Sequence, residues 1–508
     1  MDTPTYTVAD LLTANADRTP DHTAVIDGPT RISYAELHDR ARRCARLVAR
    51  RVGPGDRIAI LLPRGVDALA AYFGAHLAGA VPVFVHEQLR PRQVGHIMAH
   101  ADARLVFTTT RHHHLLDAEA LPGGAIVDVD TLRESPLPTA VPRIGRDVAG
   151  LIYTSGSTGT AKGVTVSHDN LLAGATIVRD YLHLNSRDRT LAVLPWSFDY
   201  GLNQVLATFA AGATVVTQRS LFGPDICRAL AATEATGLAG VSSLWSALAG
   251  PLGQLPLPAL RYITNSGGPL APATIEQIRT AQRHLDIYLM YGLTEAFRST
   301  YLDPAQVADR PTSIGRAIPN TEILVLDDGA RPCPPGVTGE LVHRGPTVAL
   351  GYWNDPDTTA TVFRPHPRPP VGVPAETVVY SGDYVRADAD GYLYYVGRRD
   401  ELFKSRGIRV TTTEIETEIR ASGLATEAVV AAVAGSGPDA HLIAAVTLNA
   451  NGATLADLRA YCQQDLPPHM QPHEIIVIDS MPTTSTGKTD RSAVRTHVSQ
   501  LASGSVQP

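Results

Sequence analysis

The chain has 508 residues, of which 44% are hydrophobic and 19% are charged. These proportions are ordinary for a globular protein and favour neither the disordered nor the membrane-embedded class. The net charge of -6 is spread without a concentrated basic block, which argues against nucleic acid as the main partner. Because a single hydrophobic core stops growing at roughly 250–300 residues, the length predicts at least two domains.

The first residues, MDTPTYTVADLL, contain no basic segment followed by an apolar one, and no later stretch approaches about 18 uncharged apolar residues. We therefore expect a cytoplasmic protein without a membrane span. The four cysteines lie far apart and form no CxxC pair, so neither a zinc site nor a disulfide framework is expected.

Short Val/Ile/Leu runs alternate with Ala-rich helical stretches from the N-terminus to about residue 350. The predicted strands lie at 57–63, 81–85, 104–109, 190–195, 213–217 and 261–265. Such alternation is typical of α/β proteins, in which helices flank parallel sheets and ligands bind at the carboxyl ends of the strands. We expect the motif-bearing loops at those ends.

The C-terminal part has a different texture, with Pro- and Gly-rich turns, short strands and one acidic helix at 413–421. The sequence predicts a large N-terminal domain, 1–399, built from two flanked, mostly parallel sheets and a β-rich subdomain at about 315–397. A small, mobile α+β C-terminal domain, 400–508, is expected to follow.

A loop rich in Gly, Ser and Thr, YTSGSTGTAKG at 153–163, follows the apolar run AGLI. Glycines let backbone N–H groups surround phosphate oxygens, hydroxyls add donors, and Lys162 supplies positive charge. A Walker A loop requires GxxxxGK[ST], but counting from Gly156 places Ala161 where the second glycine belongs, which excludes that class. The composition alone also fits a surface turn.

This loop resembles the phosphate-loop signature of the adenylate-forming superfamily of acyl-CoA synthetases, nonribosomal peptide adenylation domains and firefly luciferase. Four more segments resemble the superfamily's motifs in the same order: YGLTE at 291–295, YSGD at 380–383, GRRDELFKSRGIRV at 397–410 and PTTSTGKTDR at 482–491. The resemblance implies an AMP-forming ligase that converts a carboxylic acid and ATP into an acyl-adenylate and pyrophosphate. Such a ligase then passes the acyl group to a phosphopantetheine thiol.

The resemblance also implies a set of nucleotide-binding residues. They are Thr154, Ser155, Gly156, Ser157, Thr158, Gly159, Lys162, Gly267, Gly268, Tyr291, Gly292, Asp383 and Arg398. Tyr291 is expected to stack on adenine, and the carboxylate of Asp383 to accept hydrogen bonds from the ribose hydroxyls. Without the other motifs, Ser-Gly-Asp favours a turn aspartate instead.

The implied catalytic residues are Lys488, Thr294 and Glu295. Joining a carboxylate to the α-phosphate brings two anions together, so the site must neutralise charge and align the attacking oxygen. Thr294 is expected to reach the α-phosphate, Glu295 to bind Mg²⁺, which prefers oxygen ligands, and Lys488 to bridge the two anions. In the superfamily the C-terminal domain swings about a hinge, here Asp400, and the alternative orientation presents the Gly407 loop beside the thiol tunnel.

The acid pocket is the part of the site that the resemblance defines least. Its implied residues are Asp199, Tyr200, Asn203, Ser266, Met290, Phe297 and Arg298. Asp199 falls where amino-acid-activating members carry the aspartate that pairs with the substrate amino group, and an unpaired buried carboxylate would be costly. Arg298 can instead pair with Asp199, which leaves a pocket for a plain fatty or aryl acid.

Two functions therefore remain open. The sequence favours a stand-alone enzyme that loads an amino acid, including a β-amino acid, onto a separate acyl carrier protein in natural-product biosynthesis. KSRG at 404–407 resembles peptide-synthetase adenylation domains, and no carrier-protein motif follows. The alternative is an AMP-forming acyl-CoA ligase for a fatty or aryl acid, because residues 293–302 resemble a bacterial group of acyl-CoA ligases. A binding scaffold without catalysis is disfavoured by the joint presence of Glu295, Asp383, Arg398 and Lys488.

Overall fold

A computed structural model of the protein describes most of the chain. The described residues are 5–116, 125–128, 142–155, 161–369, 371–372, 376–399, 402–405, 408–434, 440–450, 452–466, 468–483 and 489–504. The chain divides into two compact units, one formed by residues 1–324 and 342–381 and the other by residues 325–341 and 382–508. Asp400 lies outside the described residues, so the domain boundary at that residue stays a prediction.

The helices of the described residues are distributed along the whole chain. They are α1 (Val8–Arg18), α2 (Tyr34–Ala49), α3 (Val66–Leu77), α4 (Pro91–Ala101), α5 (His168–Tyr181), α6 (Asp199–Ala210), α7 (Gly223–Thr233), α8 (Ser242–Leu248), α9 (Pro272–Ala281), α10 (Pro356–Val362), α11 (Thr412–Ala421), α12 (Leu455–Gln464) and α13 (Arg491–Gly504). No helix in these ranges is long and apolar enough to cross a membrane.

The strands alternate with these helices as the sequence predicts. They are β1 (Thr23–Asp27), β2 (Thr30–Ser33), β3 (Arg57–Ile60), β4 (Val81–Phe84), β5 (Ala103–Thr108), β6 (Ala125–Asp128), β7 (Val148–Ser155), β8 (Ala161–Ser167), β9 (Arg189–Ala192), β10 (Thr214–Thr217), β11 (Gly237–Gly240), β12 (Tyr262–Asn265), β13 (Asp286–Tyr291), β14 (Thr300–Leu302), β15 (Ser313–Ala317), β16 (Glu322–Leu326), β17 (Thr338–Arg344), β18 (Gly351–Tyr352), β19 (Phe363–Pro365), β20 (Thr377–Ala387), β21 (Leu393–Arg398), β22 (Leu402–Ser405), β23 (Ile408–Thr411), β24 (Ala425–Ala434), β25 (Ala440–Leu448) and β26 (Glu474–Val477).

The first unit contains two mostly parallel sheets, which confirms the predicted α/β class. In one sheet the strands β1, β10, β9, β11, β12 and β13 are parallel neighbours in that order, and β2 and β14 add antiparallel strands. In the other, β4, β3, β5 and β6 are all parallel. Strands such as TVVT in β10 are buried at every position, as expected when helices cover both faces of a parallel sheet.

The second unit contains the predicted small α+β fold. Strand β24 pairs antiparallel with β25, which pairs in parallel with β26. One face of this sheet packs with the apolar side of α11 and α12, through residues such as Ile415, Val430 and Leu458. The other face packs with α13 through Val429, Ile443 and Val494.

A buried carboxylate lies inside this second unit. The side chain of Glu416 on α11 is fully buried, and its Oε1 accepts hydrogen bonds from the Val430 N–H at 2.8 Å and from Nη2 of Arg491 at 2.6 Å. Burial raises the pKa of Glu416, and the nearby guanidinium of Arg491 opposes that rise. Arg491 thus links the start of α13 to α11.

We predict that Arg491→Met destabilises the second unit by about 3–5 kcal/mol, because the buried Glu416 carboxylate loses the cation that donates a hydrogen bond to it and keeps only the more distant charge of Arg420. Hydrogen exchange of the amides in β24 and β25 measures this loss. The double variant Glu416→Gln/Arg491→Met removes both charges, so its stability should fall less than that of Arg491→Met. A single variant that is as well protected as the double variant would contradict the assignment of Arg491 as the essential partner.

Candidate active site

The described residues at both ends of the phosphate-loop segment belong to an antiparallel pair of strands, here called the phosphate hairpin. Strands β7 and β8 pair with Thr154 opposite Lys162 and Tyr153 opposite Gly163. The expectation that this loop follows a strand of a parallel sheet is wrong, because residues 161–167 form a second strand that pairs antiparallel with β7. Gly156, Ser157, Thr158 and Gly159 lie outside the described residues, and of Ser155 only the backbone is described.

Lys162 leaves the hairpin toward the start of α10. Its Nζ lies 3.2 Å from Oδ2 of Asp355 and donates a hydrogen bond to Oγ1 of Thr358 at 2.8 Å. Hydrogen bonds from Thr358 and the charge of Lys162 lower the pKa of Asp355. A phosphate that approaches Lys162 must therefore compete with a carboxylate.

The YGLTE segment forms the turn of a second antiparallel pair. Strand β13 ends at Tyr291, which pairs with Thr300 of β14, and residues 292–299 form the connecting loop, here called the 292–299 loop. Oε1 of Glu295 accepts a hydrogen bond of 2.5 Å from the hydroxyl of Tyr352 on β18. The backbone carbonyl of Glu295 accepts another from the Ala349 N–H at 2.9 Å. Both contacts fix the carboxylate relative to the phosphate hairpin, since β18 pairs with β8.

The predicted adenine-side residues meet at one edge of the large sheet. Strands β12 and β13 are parallel neighbours, with Asn265 opposite Leu289. The segment Ser266–Gly268 therefore follows β12 close to the point where β13 ends at Tyr291. Gly267 has a φ of +78°, a backbone conformation that glycine adopts without steric cost. This edge is where parallel sheets place their ligands.

Asp199 and Arg298 form a buried ion pair. Asp199, the first residue of α6, is 4% exposed and Arg298 is 2% exposed. Nη1 of Arg298 lies 3.2 Å from Oδ2 of Asp199 and also donates to the carbonyl of Phe297 at 2.9 Å. The hydroxyl of Thr294 donates to Oδ1 of Asp199 at 3.5 Å. The pair therefore connects α6 to the 292–299 loop.

The other predicted pocket residues surround this pair or lie beside it. The guanidinium carbon of Arg298 lies 4.7 Å from the ring centroid of Tyr200, whose hydroxyl is 2.6 Å from Oγ1 of Thr264. Burial raises the pKa of Tyr200. The sulfur of Met290 accepts a hydrogen bond from the hydroxyl of Tyr181 at 3.0 Å, and Tyr181 in turn is near enough to Arg298 and Tyr200 to interact with them electrostatically. The structure thus brings Asp199, Tyr200, Thr294 and Arg298 into contact.

Phe297 is held in a strained position between α5 and the ion pair. Its φ is +56°, which is uncommon for a residue with a large side chain. A Cβ atom on Gly174 of α5 would lie 2.5 Å from Cδ1 of the Phe297 ring. Glycine at position 174 is therefore what allows the ring, and with it the 292–299 loop, to approach α5.

A buried histidine that the sequence analysis missed supports the back of this loop. His343 on β17 is fully buried, its Nδ1 lies 3.0 Å from Oγ of Ser299, and its Nε2 lies 3.0 Å from Oγ1 of Thr347. The Thr347 hydroxyl donates to the carbonyl of Arg298 at 3.3 Å. Because that hydroxyl proton is used, Nε2 of His343 carries the hydrogen and donates to Thr347, while Nδ1 accepts from Ser299. Burial lowers the pKa of His343 to about 3.

Two predicted nucleotide residues lie in the second unit. Asp383 and Arg398 are opposite each other on β20 and β21, with Nε of Arg398 3.6 Å from Oδ1 of Asp383. The hydroxyl of Tyr395 donates to the same oxygen at 3.4 Å. Asp383 therefore belongs to a strand rather than a turn. Lys488, Asp400 and Gly407 lie outside the described residues.

Comparison with protein families identifies both parts of the chain. Residues 12–353 match the model of the AMP-binding enzyme, and residues 414–488 match the model of the AMP-binding enzyme C-terminal domain. The chain belongs to the AMP-binding enzyme family. This result confirms the adenylate-forming superfamily that the five sequence motifs predict.

Individual relatives include multidomain peptide synthetases. The chain is 30% identical to tyrocidine synthase 3 of Brevibacillus parabrevis over 500 residues, which are 96% of this chain and 8% of that protein. It is 34% identical to phosphinothricin tripeptide synthetase PhsC of Streptomyces viridochromogenes over 510 residues, covering 96% of this chain and 45% of that protein. The chain thus spans less than half the length of either relative.

A solved structure supports the fold. O-succinylbenzoate coenzyme A synthetase from Bacillus subtilis, in complex with ATP and magnesium ion, superimposes with a TM-score of 0.83 at 24% identity. The match covers 95% of this chain and 98% of that chain. At this identity the likeness establishes the α/β architecture.

The buried His343 predicts a pH dependence of stability. An unfolded histidine titrates near 6.5, so between pH 6.5 and about 3 the unfolded chain binds a proton that the folded chain excludes. Stability is therefore lost as the pH falls. Between pH 7 and pH 5, we expect the free energy of unfolding of the His343→Gln variant to fall by about 2 kcal/mol less than that of the parent protein.

Urea unfolding followed by tryptophan fluorescence measures this difference, because Trp196, Trp245 and Trp353 all belong to the first unit. The variant His284→Gln, at an exposed histidine, controls for the loss of one imidazole. An equal loss of stability in His343→Gln and the parent would contradict the neutral, buried state of His343.

Proposed function

We propose that this AMP-binding enzyme activates a carboxylic acid as its acyl-adenylate and then transfers the acyl group to a phosphopantetheine thiol. The observation that supports the proposal most strongly is that the 292–299 loop contacts both the proposed acid pocket and the proposed nucleotide site. One of its residues, Thr294, contacts the buried Asp199, and the next, Glu295, contacts Tyr352 beside the phosphate hairpin. A single short loop therefore joins the proposed acid pocket to the proposed nucleotide site.

The nucleotide roles follow from the placement of the motif residues. Thr154 and Lys162 lie opposite each other on the phosphate hairpin, where a hydroxyl and a cation suit the outer phosphates of ATP. Tyr291 and Gly292, with Gly267 and Gly268, are proposed to line the adenine. In the second unit Asp383 and Arg398 are proposed to contact the ribose.

The residues present fit a bound Mg²⁺. Glu295 offers a half-buried carboxylate oriented by Tyr352, with the Thr294 hydroxyl next to it in the chain. In the described part of the chain no cluster of three or more His, Cys, Asp or Glu residues is arranged to hold a metal. Mg²⁺ is usually bound by one or two carboxylates together with substrate phosphates and water, and Glu295 offers one such carboxylate. When bound, the ion offsets negative charge on the phosphates.

The preferred acid is an amino acid, including a β-amino acid, and the preferred acceptor is the phosphopantetheine arm of an acyl carrier protein in natural-product biosynthesis. Peptide synthetases are among the relatives at 30% and 34% identity. Asp199 is a buried carboxylate next to Thr294, and a substrate ammonium group is a natural partner for such a carboxylate. Lys488 is proposed to bridge the acid and the phosphate during adenylate formation.

One observation favours the alternative, an AMP-forming acyl-CoA ligase for a fatty or aryl acid. Arg298 already pairs with Asp199, so the carboxylate does not require a substrate ammonium group for charge balance. The solved relative named above is a coenzyme A synthetase. The two functions differ in whether Asp199 recognises the acid directly.

Acid-dependent exchange of pyrophosphate into ATP tests both functions on the full chain. With α-amino, β-amino, fatty and aryl acids as the panel, we expect exchange with an amino acid, and Asp199→Asn should abolish it because the ammonium group loses its carboxylate. ATP binding should persist in that variant.

The variant Lys488→Ala serves as the catalytic control and should lower exchange by roughly a hundred- to a thousandfold. Exchange with fatty or aryl acids alone, unchanged in selectivity by Asp199→Asn, would favour the ligase function. ATP binding without exchange for any acid would contradict adenylate formation altogether.

We further predict that Tyr352→Phe raises the Mg²⁺ concentration needed for half-maximal exchange by about 10-fold or more. Removing the hydroxyl releases Oε1 of Glu295 from its 2.5 Å hydrogen bond, and partners that orient a metal ligand typically contribute 10–100-fold to metal affinity. Titration of Mg²⁺ at saturating acid measures the shift. Tyr394→Phe, in the second unit, provides a matched control, and an unchanged Mg²⁺ requirement in Tyr352→Phe would argue against Glu295 as the metal ligand.

A further inference from the structure

Arg298 is buried with one edge of its guanidinium unpaired. Among the described residues, neither Nε nor Nη2 of this side chain has a hydrogen-bond acceptor, and both atoms are closed off from solvent. Buried donors are normally paired, because an unpaired one gives up its hydration without compensation. Two unpaired donors of a charged group, in the proposed acid pocket, point to an acceptor that comes from outside the chain.

The orientation of this edge is fixed by the opposite side of the guanidinium. Nη1 donates to Asp199 and to the carbonyl of Phe297, and the ring of Tyr200 lies 4.7 Å from the guanidinium carbon. A guanidinium is planar and presents its N–H groups as rigid forks. Because Nη1 is already hydrogen-bonded, the N–H groups of Nε and Nη2 remain as two parallel donors. Such a pair matches the oxygen atoms of a planar group such as a carboxylate, carboxamide or ketone.

A second unpaired donor lies near the same residues. Asn203 is one helical turn after Asp199 on α6, it is 1% exposed, and its Nδ2 has no acceptor in the described structure. A Cβ atom on Gly174 would lie 3.2 Å from this Nδ2 and 2.5 Å from the ring of Phe297. The amide of Asn203 thus flanks the residue that precedes Arg298.

We propose that the acid activated by this enzyme carries, apart from its reacting carboxyl group, an oxygen acceptor that binds the Nε and Nη2 edge of Arg298. This inference rests on the function proposed above and names the substrate class more narrowly. The class comprises acids with an additional oxo, carboxamide or carboxylate group. Asp199 already offsets the charge of Arg298, so an uncharged acceptor leaves the pocket balanced, and an additional carboxylate is balanced when the acid also carries an ammonium group.

Matched acids test the proposal on the full-length protein. One set compares pentanoic acid with 4-oxopentanoic and glutaramic acids, and the other compares norvaline with glutamine and with glutamate, which carries the ammonium group that balances its additional carboxylate. We expect the oxygen-bearing members of a set to exceed the hydrocarbon member by about 100-fold or more in kcat/KM for pyrophosphate exchange, since a site built to hydrogen-bond a substrate group strongly rejects analogues that lack it. The rank among oxo, carboxamide and carboxylate members identifies the acceptor.

The variant Arg298→Lys tests the residue, because lysine keeps the charge but lacks the fork. We expect the preference for oxygen-bearing acids to fall to within about 10-fold, with the KM for ATP unchanged. Arg228→Lys, at an exposed arginine that pairs with Asp225 on α7, is the matched control and should keep the parent preference. If Arg298→Lys does not fold, the comparison of acids on the parent protein still tests the proposal.

Calorimetric binding of the same acids separates this inference from the proposed function. Absence of exchange with every acid would count against adenylate formation, whereas preferential binding of the oxygen-bearing acids, weakened in Arg298→Lys, would still support the role of Arg298. Equal binding and equal exchange for hydrocarbon and oxygen-bearing acids would overturn the inference. A preference that persists in Arg298→Lys would overturn it as well.

Discussion

The buried ion pair between Asp199 and Arg298 is the constraint on which the proposed site depends. Removing two charges from water is costly, and their attraction offsets that cost only when the geometry is good and further hydrogen bonds form. Here those bonds come from Thr294 and the carbonyl of Phe297, both in the 292–299 loop. The start of α6 and this loop must therefore take up one mutual arrangement, which also sets the position of Glu295 next to Thr294.

A second set of contacts supports the loop from behind. The chain of hydrogen bonds runs from Ser299 to His343, from His343 to Thr347 and from Thr347 to the carbonyl of Arg298. His343 and Thr347 each donate one hydrogen bond and accept one in this chain, so reversing the bond between them would leave the carbonyl of Arg298 without the Thr347 hydroxyl proton. Since protonation of His343 would convert its acceptor nitrogen into a donor facing Ser299, burial and hydrogen bonding both favour the neutral ring. The loop is thus positioned by the Asp199–Arg298 ion pair on one side and by the hydrogen bonds of His343 and Thr347 on the other.

Much of this molecule follows from local sequence patterns, and the exceptions have physical causes. The strands of the parallel sheets were predictable because their Val and Ile runs are buried on both faces, as in β10 and β12. The phosphate hairpin departs from the rule for parallel sheets, because residues 161–167 form a strand that returns antiparallel to β7. His343 could not be recognised, since its partner Ser299 is 44 positions away in the chain. The sequence suggests the pairing of Asp199 with Arg298 as an alternative. Only the fold determines that Nη1 contacts Asp199 while Nε and Nη2 have no acceptor among the described residues.

The pairing of Asp199 with Arg298 changes how selectivity in such a pocket must be understood. A lone buried aspartate would select an acid by charge, because an ammonium group is the simplest way to neutralise it. A pair that is already neutral has no such requirement, so its remaining selectivity comes from the direction and number of unpaired donors. An incorrect acid is then bound more weakly because it leaves buried N–H donors of the pocket without an acceptor, a cost that the correct acid avoids. On this argument Arg298 is proposed to discriminate among acids, and Asp199, besides its proposed role as the partner of a substrate ammonium group, holds the guanidinium in the orientation that makes the discrimination possible.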